Sequence, residues 1–184
     1  MSAKYIIALV GMPGTGKSQA AAFFQNKNIP IIRFGDLTDE TIKEKGLSPT
    51  PENERIVREQ LRKELGMAVY AIRARPKIEE ALKTNPIVVL DGLYSWEEYA
   101  FLKKYLSNLL LLHIFARPQM RYDRLTVRKI RPLNAQEARQ RDIFEIENLN
   151  KAGPIAMANY VIFNESTVED LYKKLEEFLA KIQI

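Results

Sequence analysis

Cysteine is absent from this 184-residue sequence, and histidine occurs once, as His113. The lack of cysteine excludes disulfide bonds and thiolate metal sites, and this composition leads us to expect a cytoplasmic protein. His113 lies inside an apolar run, which indicates a core or strand-end position rather than a catalytic or metal-binding one. Long apolar stretches are also missing. The N-terminal apolar run covers only about eight residues, so we predict neither a signal peptide nor a membrane span.

Positive charge exceeds negative charge only locally. The formal net charge is +5, but residues 117–141 alone carry eight Lys and Arg against two acidic residues. That segment has a net charge of +6, which leaves −1 for the rest of the chain. A local arginine cluster is better suited to a triphosphate than to a nucleic-acid backbone. Nucleic acid is therefore not an expected partner.

Residues 11–18 read Gly-Met-Pro-Gly-Thr-Gly-Lys-Ser, a full match to the phosphate-binding loop pattern G-x-x-x-x-G-K-[ST]. An apolar strand pattern precedes the loop and a helical pattern follows it, which is the context that the motif requires. Backbone N–H groups and the helix N-terminus then face a triphosphate. We expect Lys17 at the β- and γ-phosphates and the Ser18 hydroxyl on Mg²⁺. The residues predicted to bind the nucleotide are Gly11, Met12, Pro13, Gly14, Thr15, Gly16, Lys17, Ser18 and Gln19.

Strand patterns alternate with helical patterns along the chain. The predicted strands are 4–10, 31–34, 87–91, 109–115 and 160–163. This order predicts one domain over residues 1–184, an α/β three-layer P-loop NTPase fold with a five-stranded parallel sheet and helices on both faces. Two stretches add to that minimal core, at about 36–75 and about 129–153. We expect both beyond the carboxyl ends of strands, where ligands bind in such folds.

Helix boundaries are predicted from proline, glycine and capping patterns. Pro76 predicts the start of a helix over 76–84. Ser95 with Glu98, and Ser166 with Glu169, match the capping-box spacing. A further helix over 118–130 would place Arg121, Arg124 and Arg128 on one face.

Two aspartates at strand ends are candidates for phosphate chemistry. Asp91 ends an apolar strand pattern and is predicted to bind Mg²⁺ together with Ser18, directly or through water. Asp36 follows the second predicted strand, where a carboxylate can orient an acceptor hydroxyl or accept its proton. Asp36 is also suited to capping the helix that follows it, and the two roles are compatible.

Taken together, these motifs resemble the adenylate-kinase-like group of small-molecule kinases. The resemblance rests on the loop at 11–18, on Gly35-Asp36-Leu37 and on Val88-Val89-Leu90-Asp91-Gly92. The last third, including 119–128, 136–141 and 158–164, is closer to dephospho-coenzyme A kinases. The whole chain is most similar to an uncharacterised archaeal family related to adenylate kinase.

The resemblance implies a lid near 129–153 and an acceptor-binding region near 36–75. Of the six arginines in the basic segment, we expect two or three to contact phosphate, with Arg128 and Arg141 as catalytic candidates beside Lys17 and Asp36. Asn164 is expected near the nucleotide base. The six arginines are Arg121, Arg124, Arg128, Arg131, Arg139 and Arg141.

The sequence departs from these families mainly on the acceptor side. The arginine that follows the glycine-aspartate pair in adenylate kinases is missing from 37–40, and Leu93-Tyr94-Ser95 stands where those enzymes have proline and arginine. Dephospho-coenzyme A kinases usually have aspartate at the position of Asn159. The arginines that would substitute as acceptor contacts are Arg55, Arg58, Arg73 and Arg75.

We therefore predict a Mg²⁺-dependent kinase that transfers the γ-phosphoryl group of ATP to a small-molecule nucleotide, with AMP as the first candidate. Dephospho-coenzyme A kinase is the alternative enzyme, and its hydroxyl acceptor requires a general base. A nucleotide-dependent regulatory ATPase and a nucleic-acid-binding ATPase are the other classes. A guanine-reading switch is not expected, because the Asn-Lys-x-Asp pattern is absent. No oligomeric state is predicted.

Overall fold

A five-stranded parallel sheet forms the centre of the protein, whose computed structural model describes residues 4–182. Its strand order is β2-β3-β1-β4-β5. The strands are β1 (Tyr5–Val10), β2 (Ile31–Arg33), β3 (Ile87–Asp91), β4 (Leu109–Phe115) and β5 (Tyr160–Phe163). Each of the five predicted strands is present with boundaries within one residue of the prediction.

Nine helices are described, and four of them cover the two faces of the sheet. They are α1 (Lys17–Asn26), α2 (Gly35–Glu44), α3 (Pro51–Leu65), α4 (Val69–Thr84), α5 (Trp96–Tyr105), α6 (Pro118–Val127), α7 (Ala135–Leu149), α8 (Ala152–Ala156) and α9 (Val168–Ile182). Helices α4 and α5 pack on one face, and α1 and α9 pack on the other. The three-layer fold class predicted from the sequence is confirmed. No helix within residues 4–182 is both long and apolar enough to cross a membrane.

Helix α4 begins seven residues before the predicted start, so the prediction that Pro76 opens a helix is wrong. Pro76 instead lies inside α4. An internal proline costs a helix about 3 kcal/mol. Burial outweighs that cost, because Val69, Tyr70 and Ile78 all lie in the core and each contributes roughly 1.5–3 kcal/mol.

Two further helix-end predictions differ in outcome. The capping box of Ser95 and Glu98 is confirmed, with both reciprocal hydrogen bonds present. The box predicted for Ser166 is wrong by one residue, because Thr167 precedes α9 and its hydroxyl accepts a bond from the backbone N–H of Asp170 at 3.3 Å.

The prediction that Arg128 shares a helical face with Arg121 and Arg124 is wrong. Helix α6 ends at Val127, and Arg128 has extended backbone.

Candidate functional site

The phosphate-binding loop, residues 11–18, connects β1 to α1 at the carboxyl edge of the sheet. All three of its glycines have positive φ where other atoms lie very close, and the first and the last have the shortest contacts. A Cβ on Gly11 (φ 142°) would lie 2.5 Å from the carbonyl oxygen of Ile114. A Cβ on Gly16 (φ 97°) would lie 2.2 Å from Nδ2 of Asn164. Both positions therefore require glycine, which gives the motif its physical basis in this chain.

The loop is also fastened by side chains around it. Asn164, just after β5, is buried and donates from Nδ2 to the carbonyl oxygen of Thr15 at 2.8 Å. The hydroxyl of Thr15 donates to the carbonyl oxygen of Met12 at 3.0 Å. Asn164 thus contacts the loop backbone, and its role beside a nucleotide base stays a prediction.

Lys17 is the first residue of α1, and its ammonium folds back over the loop. Nζ donates to the carbonyl oxygens of Gly11 at 2.8 Å and Met12 at 3.0 Å. The pKa of Lys17 is lowered to about 7, mainly by burial and in part by the positive charge of Lys151. Triphosphate oxygens in the loop would offer this ammonium charged acceptors, which bind more strongly than carbonyls.

Ser18 and Asp91 are the residues predicted to hold Mg²⁺. Ser18 is exposed in the first turn of α1, and Asp91 ends β3 opposite Leu9 of β1. Burial raises the pKa of the Asp91 carboxyl, and the nearby charge of Lys17 counteracts that effect. A hydroxyl and a carboxylate oxygen fit Mg²⁺, which takes its other ligands from water and phosphate. Within residues 4–182, no cluster of three or more acidic, His or Cys side chains would hold a metal by itself.

Asp36 lies in the first turn of α2, which follows β2 at the same edge of the sheet where Asp91 ends β3. Its negative charge contributes to the raised pKa of Asp91. Oδ1 of Asp36 is 3.2 Å from Nη1 of Arg33, and Arg33 pairs with Asp91 in the strand register. The two carboxylates and Arg33 therefore meet at one edge of the sheet, next to the loop.

Arg121 serves a structural purpose inside the basic segment. Its side chain is 5% exposed and forms a two-pronged ion pair with Asp142, at 3.0 and 2.7 Å. Nη1 also donates to the carbonyl oxygen of Pro13 at 3.0 Å. Arg121 thus ties α6 and α7 to the phosphate-binding loop, and its donors point to protein acceptors.

Arg128 follows α6 and Arg141 lies in the middle of α7, close enough for their charges to interact. Nε of Arg128 donates to the carbonyl oxygen of Arg131, while its Nη2 is buried without a hydrogen-bond partner among the described residues. Burial lowers the pKa of Arg128, and the positive charges of Arg141 and Arg131 lower it further. Cations thus gather here in excess of anions, which is the arrangement that a phosphate group stabilises.

The remaining arginines of the segment differ in their surroundings. Arg131 pairs with Glu54 of α3, which links the 129–153 stretch to the 36–75 stretch. Arg124 has a buried Nη1 without a hydrogen-bond partner among residues 4–182. Arg139 is exposed.

No sequence motif indicates a role for three residues of this site, which are Tyr94, Glu145 and Lys151. Glu145 and Lys151 form a buried ion pair, and the Lys151 ammonium lies 4.5 Å from the ring centroid of Tyr94. Glu145 also accepts a bond from Nε of Arg141 at 3.0 Å. The contacts of Glu145 and Lys151 depend on how α7 and α8 pack against the sheet, so the spacing of these residues along the chain does not predict them.

A cavity of about 400 Å³ lies beside the end of β2, between α2, α3 and α4. Its apolar wall consists of Ile32, Phe34, Leu37, Leu61, Leu65, Tyr70 and Ala74. Its charged side chains are Arg33, Glu40, Glu44, Arg73 and Lys77. Of the four arginines considered as acceptor contacts, Arg73 lines this cavity, whereas Arg55, Arg58 and Arg75 each pair with a glutamate one helical turn away.

Comparison with known proteins gives a family and a fold. A family model described as an AAA domain matches residues 7–145. The UPF0200 protein of Pyrococcus horikoshii is 34% identical over 181 residues, covering 96% of this chain and 97% of that protein.

Solved structures with low sequence identity share the fold. The structure of TT1252 from Thermus thermophilus superposes with a TM-score of 0.68 at 22% identity, covering 97% of this chain and 98% of its own. Shikimate kinase from Bacteroides thetaiotaomicron gives a TM-score of 0.60 at 18% identity, with 96% and 98% coverage. The fold is thus a P-loop, small-molecule-kinase-like fold. The adenylate-kinase-like subgroup predicted from the motifs is a narrower assignment than these matches support.

Proposed function

The chain belongs to the UPF0200 family, and from its site we propose that it is a Mg²⁺-dependent kinase that transfers the γ-phosphoryl group of ATP to a nucleoside monophosphate, with AMP as the preferred acceptor. Its kinase-like fold is compatible with many acceptors, so the proposal depends on the residues of the site.

The observation that carries the proposal is the placement of the chain's own cations over its own phosphate-binding loop. Arg141 lies close enough to Lys17 to lower its pKa, and Arg121 ties α7 to Pro13 of the loop. A kinase needs such a cover because it must exclude water from the transferring phosphoryl group. A regulatory ATPase uses water as the acceptor, so it does not need to exclude water from the transferring group.

Each part of the reaction then has residues suited to it. Lys17 and the loop backbone bind the donor phosphates, and Ser18 and Asp91 hold the cation. Mg²⁺, when bound, neutralises charge on the donor phosphates. Arg128 and Arg141 stabilise negative charge on the transferring group. Asp36 faces the acceptor beside Arg33.

The acceptor is proposed to occupy the cavity beside β2. An apolar wall suits a nucleobase, and the guanidinium groups of Arg33 and Arg73 suit a monophosphate. Glu40 and Lys77 form an ion pair at 3.0 Å among the lining residues. Dephospho-coenzyme A remains the second candidate acceptor, because the Asp36 carboxylate near Asp91 suits a hydroxyl that must lose a proton.

Phosphoryl transfer from ATP tests the proposal directly. AMP, CMP, UMP, dGMP and dephospho-coenzyme A are offered separately with Mg²⁺, and Lys17→Ala serves as the blank. We expect ADP formation from AMP and ATP. Product from dephospho-coenzyme A alone would replace the proposed acceptor. Binding of ATP with no transfer to any acceptor would contradict the kinase assignment.

Replacing Asp36 distinguishes the two acceptor chemistries. A phosphate acceptor is already anionic, so Asp36→Asn should reduce turnover with AMP by less than about tenfold. A hydroxyl acceptor that relied on Asp36 as its base would lose about 10²- to 10⁴-fold in turnover. Asp39→Asn is the matched control, since Asp39 lies one turn further along α2 and also approaches Arg33, at 3.9 Å. Equal losses in the two variants would show that only the charge near Arg33 matters.

Nucleotide binding should take up a proton above neutral pH. Free Lys17 has a pKa of about 7 and is mostly neutral at pH 8, whereas a bound triphosphate favours its ammonium form. We therefore expect uptake of about one proton per ATP at pH 8 and only about a tenth of a proton by Lys17 at pH 6. Calorimetric titration in buffers of different ionisation enthalpy measures this. The charged groups facing Lys17 are Lys151, Glu145, Asp91 and Arg141.

The same titration can contradict this prediction of proton uptake. If proton uptake at pH 8 were no larger than at pH 6, Lys17 would already be charged in the free protein. The lowered pKa would then have no part in nucleotide binding.

A further inference from the structure

Lys151 is a buried lysine immediately before α8, and its ammonium lies against Tyr94, three residues after the carboxyl end of β3. It is 2% exposed, and its ammonium donates to Oε2 of Glu145 while lying 4.5 Å from the ring centroid of Tyr94. Burying an ammonium is costly unless it is paired and hydrogen-bonded. One carboxylate and one aromatic face satisfy only part of its three donors.

The position of Lys151 is set by contacts on both sides. Its backbone N–H donates to the carbonyl oxygen of Glu145 at 3.2 Å. Before it, Asn150 adopts the left-handed conformation (φ 52°) and donates from Nδ2 to Glu97 at 3.0 Å. After it, Gly153 packs so tightly that a Cβ would lie 2.6 Å from the indole of Trp96. The ammonium is therefore presented from a constrained backbone.

Positive charge exceeds negative charge around this ammonium. Glu145 is shared between Lys151 and Arg141, which bond to its two carboxylate oxygens. Side-chain bonds lead from this cluster to the loop: Asp142, three residues before Glu145 on α7, accepts from Arg121, which also donates to the carbonyl oxygen of Pro13. Lys151 and Lys17 therefore carry like charges at the same edge of the sheet, and an anion between them would relieve their repulsion.

We propose that Lys151 is a second phosphate-binding lysine, which contacts the terminal phosphoryl group of a bound nucleoside triphosphate opposite Lys17, and that Glu145 positions it. This assignment rests on the nucleotide binding in the proposed function and is independent of the acceptor. Lys17 reaches the β- and γ-phosphates in loops of this type, so a cation opposite it faces the γ-phosphate rather than the α-phosphate.

The test compares two nucleotides that differ in that phosphate. Dissociation constants for ADP and for the non-hydrolysable triphosphate AMP-PNP, each with Mg²⁺, are measured by calorimetry for the native protein and for Lys151→Met. We expect the AMP-PNP constant to rise about 10- to 100-fold, because a hydrogen bond to a charged group is lost. The ADP constant should change less than about twofold, since ADP has no γ-phosphate.

Control variants separate this role from a structural one. Lys83→Met removes a lysine that also pairs with a carboxylate, Glu80 at 2.6 Å, but near the end of α4, before the amino end of β3, and it should change neither constant. Lys151→Gln keeps a hydrogen-bond donor for Glu145 and replaces Lys151→Met if the latter does not fold. Glu145 remains paired with Arg141 in both variants.

Each outcome decides the assignment. Equal losses for ADP and AMP-PNP, or no loss for either, would overturn it and leave Lys151 as a core ion pair. If the native protein bound AMP-PNP but transferred no phosphoryl group from ATP to any acceptor, the kinase proposal would fail while the Lys151 assignment stood. If the native protein bound neither nucleotide, both proposals would be overturned.

Discussion

Lys17→Ala should lower ATP affinity by about 30- to 5,000-fold and abolish phosphoryl transfer, since truncating one partner of a buried charge pair costs about 2–5 kcal/mol. The Lys17 ammonium already lies across the loop, bonded to the carbonyl oxygens of Gly11 and Met12. Those bonds keep it where triphosphate oxygens would arrive. Calorimetric titration with AMP-PNP measures binding, and a coupled assay measures transfer.

The same residue should lower the stability of the protein without nucleotide. The pKa of Lys17 is about 7 in the folded protein, against about 10.4 in an unfolded chain. A lysine with a lowered folded pKa opposes folding fully below pH 7, and the opposition disappears as pH rises above the unfolded value. Lys17→Met should therefore be roughly 1–3 kcal/mol more stable than the native protein at pH 7. Thermal unfolding at pH 7 and pH 10 checks this, with the gain expected to shrink at pH 10.

Lys27 provides the matched control for both measurements. It lies just after α1 and pairs with Glu176, so Lys27→Ala removes a lysine near the opposite end of the same helix. That pair is about half exposed, and such pairs contribute about 1 kcal/mol or less. Lys27→Ala should leave nucleotide affinity unchanged and lower stability slightly. A loss of affinity equal to that of Lys17→Ala would mean that α1 as a whole, and not its first ammonium, determines binding.

The fold was predictable because its signals are local. The apolar strand patterns ending at Val10, Asp91 and Phe115 need no long-range information, since a buried parallel strand is apolar on both sides. The motif at 11–18 is equally local, and its glycines meet backbone or side-chain atoms that forbid a Cβ. Sequence reasoning failed at Pro76, where a local helix-start signal was outweighed by burial of α4 against the sheet.

Residues of the candidate site could be proposed from the sequence only where a motif gives the residue a single expected role. Lys17, Ser18 and Asp91 follow from their motifs. Arg121 and Lys151 do not, because a cation in a basic segment binds phosphate or protein according to what the fold places opposite it. The partner of Arg121 lies 21 residues away in Asp142, and Glu145 is six residues from Lys151 across the end of α7. Such pairs depend on the packing of α6, α7 and α8.

Arg121→Met should destabilise the protein by about 3–5 kcal/mol, the largest stability effect that we expect from one substitution. It leaves the Asp142 carboxylate buried, with only the hydroxyl of Tyr122 at 3.0 Å as a remaining described side-chain donor. It also removes the donor to the carbonyl oxygen of Pro13, so the loop should bind nucleotide less tightly. For a chain of this size, the melting temperature should fall by about 6–20 °C, which differential scanning calorimetry measures.

A double-mutant cycle separates the two consequences of losing Arg121. Arg121→Met/Asp142→Leu removes both buried charges, and replacing a buried ion pair with apolar groups is often neutral, so most of the stability should return. Nucleotide affinity should stay low, because Pro13 still lacks its donor. Arg117→Met is the control: the Arg117 pair with Glu165 at 2.6 Å is exposed on its arginine side, and its loss should cost less than about 1 kcal/mol. If the double variant were as unstable as the sum of its single variants, Arg121 would stabilise the protein independently of Asp142, and the ion pair would not be what joins α6 to α7.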